Sequence, residues 1–85
     1  MDLSQIALTV RQVLLRGVLK GTAHAALENS TPLLTGGVLD SIRMLTMISD
    51  LEREFGISFE AFEMSADYLD SIEHISRTIQ GKQAK

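Results

Sequence analysis

Residues 41–55, SIRMLTMISDLEREF, constrain the fold more than any other stretch of the chain. Their apolar side chains recur at the three- and four-residue spacing of a helix, and glycines bound them on both sides. Projected at about 100° per residue, Met44, Met47, Ile48, Leu51 and Phe55 gather on one face, with Leu45 at its edge. Ile42, Thr46, Ser49 and Arg53 fall opposite. A helix apolar on one side has to bury that side against another element. No stretch of the chain alternates with the period of a strand, so the partners are expected to be other helices. Gly56 stands where a left-handed C-cap is expected. Ile57 and Phe59 should then turn back into the core, with Phe62 and Met64 helping to close it.

The flanking segments supply those partners. A first helix over about 2–20 is predicted from the stripe Leu3, Ile6, Val10, Val13 and Leu14. Asp2 or Ser4 can cap its start, and Gln5, three residues after Asp2, suits a capping arrangement. Gly17 costs about 1 kcal/mol of helix propensity relative to alanine, and marks either a close helix–helix approach or the beginning of fraying. Gly21 is the expected stop. From 21 to 40 the pattern breaks into loop residues, and Pro32 forbids a continuous helix through the middle. Leu33, Leu34, Val38 and Leu39 are expected to pin this loop to the core, with a short helical turn at 22–27. A short helix follows at about 65–69, then a last helix over about 70–80. In that helix Tyr68, Ile72, Ile75 and Ile79 share one side, and Glu73 suits a cap centred on Asp70. Residues 81–85 read as a frayed polar tail. The expected fold is all-α: one domain over 1–85, an irregular four-helix bundle of three long helices and one short, with a long first loop.

Composition removes several functions. A chain of 85 residues, 45% hydrophobic and 22% charged, is one small globular domain rather than a disordered tail. Its formal charge of −3 disfavours a nucleic-acid partner, which wants a basic face. It has no cysteine, hence no disulfide and no thiolate of its own. No apolar run approaches the roughly 18 residues of a membrane span, and MDLSQIAL does not read as a signal peptide. A cytoplasmic protein is the expectation. No enzyme is expected either. The two histidines, His24 and His74, have no sequence relation to a nucleophile, and no His/Asp/Glu spacing suggests a metal. Asp50, Glu52 and Glu54 read as a solvated face.

What remains is a tripeptide, Asp40-Ser41-Ile42, at a loop–helix junction. A serine there is ordinarily an N-cap. Yet Ile42, next to it, is a bulky apolar group predicted to face water beside an exposed hydroxyl, which suits contact with a partner enzyme. The same tripeptide recurs at Asp70-Ser71-Ile72. There no glycines precede it, and Ile72 belongs to the core stripe, so Ser71 reads as a plain helix-start residue. Ser41 follows a Gly-Gly loop that can expose it. Ser41 is the candidate site.

The run GGVLDSI, followed by an amphipathic helix closing in LEREFGISF, resembles the acyl and peptidyl carrier proteins. Their hallmark is Asp-Ser-Leu at the start of the second helix, the serine carrying 4′-phosphopantetheine. Ile42 stands where leucine is usual, and Leu51, Glu54, Phe55, Gly56 and Ile57 hold the family spacing. The resemblance extends over nearly the whole chain, most closely from Thr35 onward, and it accounts for the long first loop. It implies covalent 4′-phosphopantetheine on Ser41, with Asp40 in support and Ile42, Arg43 and Thr46 as partner contacts. It also implies a monomeric carrier, itself a substrate with no catalytic residue and no metal. A phosphopantetheinyl transferase using coenzyme A and Mg²⁺ would modify it. An adenylating ligase or acyltransferase would load an acyl or aminoacyl group, and condensing or transfer enzymes would receive it. The mixed charge of Arg43, Thr46, Ser49, Arg53, Asp50 and Glu52 points to a dedicated biosynthetic pathway. The alternatives are a primary fatty-acid-type carrier, or an unmodified helical protein-interaction module.

Overall fold

A reciprocal capping box opens the first helix. The Gln5 N–H donates to the Asp2 carboxylate at 2.8 Å, and the Asp2 N–H to the Gln5 side chain at 3.3 Å. The structure, a computed structural model, describes residues 2–21 and 27–83. Its helices are α1 (Leu3–Arg16), α2 (Ser41–Phe55), the short α3 (Ala66–Leu69) and α4 (Ile72–Gln83), with a 3₁₀ turn at Ala61–Glu63. Among the described residues there is no strand. The architecture is a small all-α bundle in which α1 packs most heavily on α4, and α2 lies along α1.

The apolar stripes meet in one core. Ile6, Val10, Val13 and Leu14 of α1 face Ile72, Ile75 and Ile79 of α4, and Met47, Ile48 and Leu51 of α2 join them. Leu33 and Leu39 are buried and anchor the loop, with Leu34 and Val38 packed at its edge. Met44 and Phe55, expected inside, are half-buried, because they sit at the two ends of the α2 stripe.

Helix α1 ends at Arg16 rather than near Lys20. Gly17 leaves helical geometry at φ −113°, ψ −107°, and the Leu19 N–H then reaches the Leu14 carbonyl at 2.8 Å, turning Leu19 into the core. The end also coincides with a close approach to α2: a Cβ on Gly17 would lie 2.8 Å from the Asp50 carboxylate. The expected turn at 22–27 and His24 fall on residues 22–26, outside the described residues. Gly56 is left-handed as expected, at φ 65°, and its N–H bonds the Glu52 carbonyl.

The C-terminal third departs most from expectation. Phe62 is 65% exposed and does not close the core; it meets Tyr68 edge-to-face at 5.7 Å. Tyr68 itself belongs to α3 and is exposed, so it leaves the stripe of the last helix. The cap of α4 is Ser71, whose hydroxyl accepts the His74 N–H at 3.1 Å, and Asp70 is engaged elsewhere. Glu73 pairs with Arg77 at 2.7 Å instead of serving a cap. Residues 81–83 remain helical rather than frayed. Lys82 is held there by Glu63 at 2.5 Å and lies 5.4 Å from the centre of the Phe59 ring.

Candidate functional site

Asp40 decides how Ser41 is presented. With extended backbone at φ −91°, ψ −178°, Asp40 is the N-cap of α2, and its carboxylate accepts the Arg43 N–H at 2.8 Å. Ser41 is therefore the first helical residue, not the cap. It is exposed, and no described residue hydrogen-bonds its hydroxyl. The capping work that would ordinarily occupy such a serine is done by its neighbour.

The other serine is placed in the opposite way. Ser71 is 3% exposed, and its Oγ lies 2.6 Å from His74 Nδ1 while also accepting the His74 backbone N–H. Both contacts are local to the first turn of α4, so this Ser–His pair is a cap and no nucleophile is presented. One tripeptide thus yields two environments.

Around Ser41 the surface is apolar at close range and polar beyond. Ile42 is 77% exposed, and Leu45, placed by the helical projection at the edge of the buried face, is 55% exposed. Arg43 and Thr46 are exposed, the Thr46 hydroxyl turning back to the Ile42 carbonyl at 3.3 Å. Arg53 is neutralised by Asp50 at 2.8 Å, whereas no described residue forms an ion pair with Arg43. Beside Ser41 runs an open groove of about 410 Å³, bounded by Leu34 and Thr35 on the loop, Leu39 and Asp40 before the helix, Met44 below, and Ala66 of α3 across.

A residue that periodicity could not find stands behind that groove. The Asp70 carboxylate accepts the Leu34 N–H at 2.8 Å, the Thr35 N–H at 2.9 Å and the Thr35 hydroxyl at 2.7 Å. Burial works to raise the Asp70 carboxyl. The Thr35 hydroxyl, the two N–H groups and the nearby His74 together outweigh it, leaving the carboxyl below its ordinary range. The sequence signals at this position, a repeated Asp-Ser-Ile and a cap pattern with Glu73, are both local and do not point to Leu34 or Thr35.

Among the described residues no group of His, Asp and Glu is arranged to hold a metal, and no helix is long and apolar enough to cross a membrane. No family model and no curated protein matches the chain.

Proposed function

We propose that this chain is a carrier protein, modified on Ser41 by 4′-phosphopantetheine and used to pass an acyl or aminoacyl group between enzymes. One observation carries the reading: Asp40 takes the cap of α2 and leaves the Ser41 hydroxyl exposed, with no hydrogen bond to a described residue, at the mouth of an open groove. The surroundings fit the group. A phosphate on Ser41 would lie at the positive end of a helix of 15 residues, next to the Arg43 guanidinium, which forms no ion pair among the described residues. The groove offers apolar and polar walls to an amide-containing arm.

In the modification, Ser41 Oγ attacks the pyrophosphate phosphorus nearer the pantetheine half of coenzyme A. A P–O bond forms to Ser41, the P–O bond to the adenosine half breaks, and the hydroxyl proton passes to a base of the transferase. The arm, once attached, supplies a thiol that holds cargo as a thioester, which a cysteine-free chain lacks. The chain's own contribution is presentation. Asp40 fixes the first turn, Ile42 offers an apolar contact in front of Ser41, and Arg43 and Thr46 form its polar margin. Tethering raises the effective concentration of the cargo at each partner. Arg43, without an ion-pair partner among the described residues, supports a dedicated carrier, served by its own ligase or acyltransferase, over a fatty-acid-type carrier.

The test is intact-mass and peptide-mapping analysis of the purified chain after incubation with coenzyme A, Mg²⁺ and a broad-specificity phosphopantetheinyl transferase. A single adduct on Ser41 is expected, absent from Ser41→Ala and retained in Ser71→Ala. Label on Ser71, or a labelled Ser41→Ala, overturns the reading. An unlabelled wild type returns the chain to an unmodified interaction module.

A further inference from the structure

The groove beside Ser41 has two walls that come from distant parts of the chain, the loop at Leu34 and Thr35 and the start of α3 at Ala66. Asp70 touches both. Its N–H closes α3 on the Ala66 carbonyl at 3.2 Å, and its carboxylate takes two backbone N–H groups and one hydroxyl from Leu34 and Thr35. Its carbonyl accepts the Leu33 N–H, and the Leu33 carbonyl in turn accepts the Leu39 N–H at 2.8 Å. Leu39 is buried and directly precedes Asp40, the cap of α2. Between these anchors the chain makes a turn too tight for side chains: a Cβ on Gly36 would lie 2.3 Å from the Pro32 carbonyl, and Gly37 is at φ +76°. A hydrogen-bonded path therefore leads from Asp70 through the loop to the residue that sets Ser41.

We propose that Asp70 is the positioning residue of Ser41, its carboxylate holding the loop wall against the α3 wall and fixing the loop's entry into α2. The inference rests on the carrier reading for its consequence in modification, while the clamp is testable without it. All three bonds of the Asp70 carboxylate go to one short segment, remote in sequence, that frames the candidate site. When the clamp opens, only a fraction of molecules presents Ser41 correctly, and apparent affinity for the transferase falls by that fraction.

Asp70→Ala should raise the transferase KM for the carrier about tenfold while kcat stays within about twofold. Asp70→Asn should restore near-wild-type KM, because its amide oxygen can accept both N–H groups and its NH₂ can donate to the Thr35 hydroxyl. Thr35→Val, which removes one bond of three, should raise KM about threefold. Independently of labelling, amide hydrogen exchange at Leu34, Thr35 and Leu39 should accelerate in Asp70→Ala while the α1 amides keep their protection. Should Asp70→Ala not fold, Thr35→Val is read in the same two assays. A folded variant with wild-type KM, or acceleration of all amides alike, overturns the inference. A wild type that takes no label defeats the carrier reading instead, and the exchange data still decide the clamp.

Discussion

Ile42 and Leu51 lie on one helix and have opposite fates, 77% and 0% exposed. Leu51→Ala removes a fully enclosed side chain and is expected to cost roughly 2–5 kcal/mol, the range for core leucines. Phe55→Ala should fall at or below the lower end of the roughly 3–5 kcal/mol typical of aromatic truncation, because Phe55 is only half-buried. Ile42→Ala should stay within about 0.5 kcal/mol of wild type and yet slow modification or transfer. Urea denaturation of the three variants, with labelling of the third, checks the set. An Ile42→Ala protein as unstable as Leu51→Ala would mean that the helix phase is wrong. Lys82 is the complementary case. Lys82→Ala leaves the buried Glu63 carboxylate without that cation and should cost about 1–3 kcal/mol, loosening the end of α4.

At the scale of elements, stability should follow pH through Asp70. Its folded-state carboxyl is depressed, so its stabilising contribution is present above the ordinary value of an unfolded aspartate, about 3.9, and is lost as pH falls through the folded value. Melting temperatures measured from neutral pH down to acid should therefore drop at the low end, and Asp70→Asn should show a shallower fall there. Equal slopes would remove Asp70 as a contributor. The clamp also marks where the sequence stops being readable. Helix α2 was legible in its extent because its apolar stripe and Gly56 are local signals, but its cap was not: a serine at such a junction is ordinarily the cap, and Asp40 takes that place instead of Ser41. Helix α1 was legible in its face but not in its end. Gly17 and Gly21 compete as stops, and the choice was made by α2 passing close and by Leu19 turning inward. Phe62 and Tyr68 were misplaced because short segments have too little periodicity to say which way an aromatic points. Asp70 was read as a cap because its partners, Leu34 and Thr35, lie far away in sequence and a local pattern cannot see them.

The described residues are compact, with a radius of gyration of 11.6 Å, close to the roughly 12 Å expected of a chain this long. At such a size every surface charge lies within a few Debye lengths of Ser41, so on the carrier reading the overall pattern of charge would affect which enzymes approach. On α2 that pattern is largely self-cancelling: Arg53 meets Asp50, and Arg16 of α1 meets Glu54 at 3.0 Å. Exposed pairs like these contribute only about 0–1 kcal/mol to stability, and their main effect is to flatten the field. On the carrier reading proposed above, Arg43, beside Ser41 and outside any described ion pair, would be the residue an approaching enzyme senses most. Carriers of primary fatty-acid synthesis present a strongly acidic second helix to basic enzymes, and this helix would steer such enzymes weakly. The measurement is loading and elongation by a generic fatty-acid synthase set, on the wild-type chain and on an Arg43→Glu, Arg53→Glu variant. Poor elongation of the wild type and better elongation of the variant, with the gain shrinking as salt is raised, is the expected result. The gain should come mostly from Arg43→Glu, since Arg53→Glu also sets a second carboxylate against Asp50 and adds repulsion within the helix. Efficient elongation of the unaltered chain would show that these charges are tolerated surface variation and would end the dedicated-pathway reading.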